Sequence, residues 1–153
     1  MKTNERGFTI LEVIVVLILI SIVSVVIISR TTNIQQIDLG AQVDKVQAHI
    51  RYANTMAMKR SDTIWGIKCD GDDYWLFKTN DPDTASNQVR FLGEDSDKVP
   101  MPDMNAFTLF FDKYGIPYTA YTDESTNTPV STPLSIQIDS QTFNITPETG
   151  FIQ

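Results

Sequence analysis

Glu12 is a lone carboxylate bordering a stretch, Val13 to Ile28, that holds no charged residue. An ionised acid at the centre of such a stretch costs about 2.5–3.5 kcal/mol in a bilayer. An acid kept at its edge therefore calls for a use. Just before it stand Gly7 and Phe8, a small residue followed by an aromatic one. Other reactive groups are sparse. His49 is the only histidine and falls beside the apolar stripe of an expected helix, where it reads as a packing or surface residue. Cys69 is the only cysteine, so no intrachain disulfide can form, and in an expected strand it reads as a small buried hydrophobe. Asp70, Asp72 and Asp73 could gather oxygen ligands for Ca²⁺, as could the E-D-S-D loop from Glu94 to Asp97. The first loop lacks the EF-hand spacing and its closing Glu, and turn chemistry accounts for the same residues. No metal site, no cofactor and no nucleophile–base pair are expected, and so no enzyme.

The N-terminal elements follow from hydropathy. Phe8 to Ser29 would reach about 33 Å as a helix at 1.5 Å per residue, enough to cross a hydrocarbon core. Lys2 and Arg6 favour a cytoplasmic N-terminus, which leaves the chain beyond Arg30 outside. The continuation S-R-T-T-N-I-Q-Q offers no A-x-A-like cleavage site, so the span is expected to stay in the mature protein. Beyond it, Leu39, Val43, Val46, Ile50, Ala53 and Ala57 recur at helical spacing, an amphipathic stripe expected to pack on the chain's own sheet. Gly40 is a soft point, and R-S-D-T (residues 60–63) should end the helix.

The rest reads as strands. T-I-W-G-I-K-C and Y-W-L-F-K flank D-G-D-D as a hairpin, V-R-F-L (89–92) is a short third strand, and F-T-L-F-F-D alternates at Phe107, Leu109 and Phe111. L-S-I-Q-I-D and T-F-N-I-T form a last hairpin, which places the N-I-T sequon of Asn144 inside a strand. One-faced alternation predicts an antiparallel sheet covered on one side by the helix. Residues 80–88, 93–105 and 122–133 read as loops. The expected class is α+β, divided into a leader (1–7), a transmembrane helix (8–29), an amphipathic stalk (30–60) and a β-rich head (61–153).

The run G-F-T-I-L-E ahead of the apolar stretch resembles the class III signal of type IV pilins and type II secretion pseudopilins. That resemblance implies cleavage by a prepilin peptidase between Gly7 and Phe8, N-methylation of Phe8, and a role for Glu12 in assembly, paired with such an amine. The head is similar to H-type pseudopilins and FimT-like minor pilins through the F-D-x-x-G turn of Phe111, Asp112 and Gly115 and the closing P-x-x-G strand of Pro147 and Gly150. P-E-T-G-F-I-Q also resembles minor pilins of mannose-sensitive haemagglutinin systems. The single cysteine departs from major type IVa pilins, which usually carry a C-terminal disulfide loop.

The resemblance implies a pilin-like fold and a structural subunit, a minor pilin of a type IV pilus, with an H-type pseudopilin of type II secretion as the alternative. Its partners would be other pilins or pseudopilins, the prepilin peptidase and the inner-membrane assembly platform. It would sit as a single-pass inner-membrane protein with a periplasmic head before entering the filament. A DNA-binding FimT-like role is disfavoured: 12 basic residues face 19 acidic ones, for a net charge of −7, and no basic cluster exists to neutralise phosphates. No nucleic-acid partner is expected.

Overall fold

The computed structural model describes residues 9–60, 62–123 and 125–153, with the side chains of residues 25–37 outside that description. A single helix, α1, spans Ile10–Lys59. The chain divides into two compact units, Met1–Gly40 and Ala41–Gln153, so the division falls inside α1 at Gly40. In the first unit every described residue from Thr9 to Ser24 is exposed. Among the described residues no helix is long and apolar enough to cross a membrane. The span expected over 8–29 includes Phe8 and the side chains of residues 25–29, which lie outside the described residues.

In the second unit the expected stripe is buried: Val46, Ile50, Ala53 and Ala57 are fully inaccessible and Val43 nearly so. Alanines at 53 and 57 keep that face thin, which lets a helix lie close to a sheet. The helix stops at Lys59, where the expected terminator begins.

Among the described residues nine strands follow: β1 (Trp65–Cys69), β2 (Asp73–Lys78), β3 (Gln88–Val89), β4 (Lys98–Pro100), β5 (Phe107–Phe111), β6 (Pro117–Tyr121), β7 (Asn127–Pro129), β8 (Leu134–Ile138) and β9 (Gln141–Ile145). The first seven form one antiparallel sheet in the order β3-β2-β1-β5-β6-β7, with β4 also pairing β2. β8 and β9 form a separate hairpin closed by Asp139 and Ser140, with Asp139 at φ 50° as a two-residue turn demands. On one face of the large sheet Leu76 and Leu109 flank Ile67 in register, and all three are fully buried.

The opposite face is not the polar surface that one-faced alternation predicts. Gly66 is paired with Phe77 on one side and Phe110 on the other, and the two rings meet edge-to-face at 5.1 Å. A Cβ on Gly66 would run into the Phe77 ring and the Leu109 carbonyl, so glycine is required there. Trp75, Tyr118 and Tyr121 complete this second aromatic core.

The third strand is also shorter than V-R-F-L suggests. Phe91 leaves the ladder to bury itself against His49, and Gly93 at φ 91° turns the chain. β4 and β7 lie in stretches expected to be loops. The P-x-x-G segment forms a turn rather than a strand, and pairing resumes only as an Ile145–Ile152 bridge.

Candidate functional site

Thr9 and Glu12 open α1. The Glu12 backbone N–H donates to the Thr9 carbonyl at 3.1 Å and to the Thr9 hydroxyl at 3.3 Å. Thr9 thus stands as an N-cap with Glu12 three residues on, the spacing of a capping box. A carboxylate in the first turn also suits the positive end of the helix dipole. The Thr9 cap uses the Glu12 backbone N–H, and its T-x-x-E spacing is a helix-start signal present in T-I-L-E. Gly7 and Phe8 lie outside the described residues.

From Ile10 to Val23 the large apolar side chains are exposed all round the helix rather than on one face. Ser21 and the following Ser24 turn their hydroxyls back onto the helix. Ser21 Oγ donates to the Ile18 carbonyl at 2.7 Å and Ser24 Oγ to the Ile20 carbonyl at 2.8 Å. A helix hydrophobic on every side with its hydroxyls internally satisfied suits an apolar surround.

Residues 2–28 match the family model for the prokaryotic N-terminal methylation motif. That match supports a type IV pilin-like precursor. It covers Gly7, Phe8 and Glu12 and ends before the head begins. No curated protein and no solved structure matches the chain. The matched motif implies processing by prepilin peptidase and assembly with other pilins.

The head residues singled out in the sequence fall into structural roles. His49 stacks on Phe91 at 3.9 Å with rings 5° from parallel, and its Nδ1 shares a 2.8 Å hydrogen bond with the Tyr74 hydroxyl. Glu94 lies 3.8 Å from His49 Nε2 and pairs with Lys45 at 2.7 Å. Burial lowers the His49 pKa, against the opposing pull of Glu94. Cys69 is buried, and desolvation raises its thiol pKa. Asp70 Oδ1 accepts the N–H groups of Asp73 at 2.9 Å and Asp72 at 3.1 Å, an Asx turn that holds its carboxyl below the ordinary range. Within the E-D-S-D loop, Asp97 faces Arg90 at 3.4 Å. Among the described residues no group of three or more His, Cys, Asp or Glu is placed to hold a metal ion.

The two short head motifs converge. Asp112 Oδ1 accepts the Tyr114 and Ile116 N–H groups at 2.9 Å each, and Gly115 takes φ 80° to close that turn. Asn54 on α1 donates to the Gly115 carbonyl at 3.3 Å. Gly150, at φ 62°, presses on the same Asn54, whose Nδ2 would lie 2.8 Å from an added Cβ. F-D-x-x-G and P-x-x-G are thus two halves of one clasp around a helix asparagine. The sequence singled out both glycines but not the Asn54 that joins them.

Proposed function

We propose that this chain is a minor pilin or pseudopilin, cut between Gly7 and Phe8, N-methylated at Phe8, held in the inner membrane by residues 8–29 and built into a filament by helix packing. The observation that carries this reading is the methylation motif over residues 2–28 running into a helix that exposes apolar side chains on every side. The head motifs favour a minor subunit of a mannose-sensitive haemagglutinin-like type IV pilus, with the H-type pseudopilin of type II secretion as the competing assignment. A structural rather than enzymatic role is supported by the only histidine and the only cysteine, since His49 packs between Phe91 and Tyr74 and Cys69 is buried.

The test is the intact mass of the membrane-extracted chain co-expressed with a prepilin peptidase. The wild type should lose residues 1–7 and gain a methyl group, while Gly7→Val should keep its leader. Normal shortening of the variant, or a wild-type cut beyond Ile28, would overturn the reading.

A further inference from the structure

The head carries a cleft of about 700 Å³ that the filament reading does not use. Four separate segments wall it: the chain leaving α1, the end of β2, the β5–β6 turn and the β6–β7 turn. Its apolar lining includes Ile64 and Ile116, which pack against the aromatic core, and Tyr118 and Tyr121, which meet edge-to-face at 5.4 Å. Tyr114 lines it too and is 70% exposed, with the Lys113 ammonium 5.4 Å from its ring centre. Three carboxylates, Asp62, Asp112 and Asp123, line the cleft against that one ammonium.

Two of these carboxylates are fixed in place. Asp112 accepts two backbone N–H groups through Oδ1 and the Tyr118 hydroxyl, at 3.1 Å, through Oδ2. Asp123 accepts the N–H groups of Ser125 at 2.8 Å and Thr126 at 2.7 Å, and the Ser125 hydroxyl at 2.7 Å. The Ser125 hydroxyl and the Ser125 and Thr126 N–H groups hold the Asp123 carboxyl below the ordinary range, so its negative field persists at neutral pH. A concave wall of one sign concentrates that field, and tyrosine rings present their negative faces to cations.

We propose that this cleft receives a guanidinium or ammonium group, presented as an Arg or Lys side chain on a basic segment of a partner protein. A neutral sugar would also find ring faces here. Asp112 and Asp123, however, already serve as acceptors within their own turns, and a cation needs only their field. The inference stands on the head alone and does not depend on the filament reading.

The test is amide NMR of the full chain in detergent micelles, titrated with Nα-acetyl-arginine amide, its uncharged counterpart Nα-acetyl-citrulline amide, and N-acetylglucosamine. Arginine should give saturable shifts at Thr79, Asn80, Tyr118 and Tyr121, weakened by salt through screening. Citrulline should bind at least about tenfold more weakly, the equivalent of 1.4 kcal/mol. The double variant Asp62→Asn, Asp123→Asn keeps acceptors in place and should lose arginine affinity by a similar factor. If that variant unfolds, Tyr114→Ala removes an exposed ring and should weaken arginine binding instead. Equal binding of citrulline, sugar-induced shifts at the same amides in place of arginine's, unchanged affinity in the variants, or no saturable shift would each overturn the proposal.

Discussion

The two halves of α1 carry similar apolar residues into opposite circumstances. Ile18 in the first unit is 54% exposed, whereas Ile50 in the second is fully buried. The difference lies in pattern rather than in hydrophobicity. Residues 13–20 are apolar without interruption, so no helix face is left polar. Residues 41–59 place Asp44, Lys45, Gln47 and Arg51 between the members of a single stripe. The second half is specified by its own sheet. The first half asks for an environment beyond the chain, which is what a filament or a bilayer supplies.

The sharpest way to break this comparison is Glu12→Leu. If Glu12 serves assembly, the variant should still insert and be cut between Gly7 and Phe8, yet enter filaments a hundredfold less or worse. That figure follows from the roughly 3–5 kcal/mol lost when a buried charge is stripped of its partner. The measurement is the amount of subunit in sheared filaments, wild type against variant. Wild-type incorporation would reduce Glu12 to an interfacial residue at the helix start.

Paired truncations come next. Ile50→Ala should lower the stability of the head by about 2–5 kcal/mol, while Ile18→Ala should leave it within about 0.5 kcal/mol. Trp65 and Trp75 are the only tryptophans and both lie in the second unit. Near-ultraviolet circular dichroism of the micelle-solubilised chain therefore reports melting of that unit alone. Equal losses from the two truncations would erase the distinction.

Gly40→Ala tests the point where the halves meet. An added Cβ meets nothing within 4 Å, so the change should act only through helix propensity. It should raise thermal stability by about 1 kcal/mol or less. A loss would reveal that the helix needs to give way at this position.

The smallest effect is expected from pH. Burial depresses the folded-state pKa of His49 below its ordinary 6.5. Between those two values the unfolded chain holds the extra proton, so stability should be complete above about pH 6.5 and decline as pH falls through the folded pKa. The titratable groups around the ring are Glu94, Lys45 and Tyr74. Melting temperatures of wild type and His49→Gln across pH 5–7 check this, and the variant should show the shallower slope.

Much of the fold could be read from local chemistry. The stripe through Val46 and Ile50, the D-G-D-D hairpin, the last hairpin of L-S-I-Q-I-D and T-F-N-I-T, and the stop after Lys59 all rest on signals within a few residues. The second aromatic core was harder to read, because Phe77 and Phe110 show their purpose only once Gly66 is placed between them. β4 and β7 are three residues each and end in proline, too short to show a period. V-R-F-L looked like four strand residues because a buried phenylalanine reads the same in a strand as in a stack on histidine. The cleft was invisible because its walls come from four segments, of which only the β5–β6 turn carries a motif, F-D-x-x-G, and that motif signals a turn rather than a site.

Cys69 has a practical consequence for watching this molecule at work. The residue is 2% exposed and its thiol pKa is raised by burial, so little reactive thiolate forms near neutral pH. The native chain is therefore already a quiet background for maleimide chemistry. A single cysteine placed at an exposed position such as Tyr114 or Leu92 would take a fluorophore or spin label by itself. No cysteine-free version has to be made first, and the packing around residue 69 stays as it is.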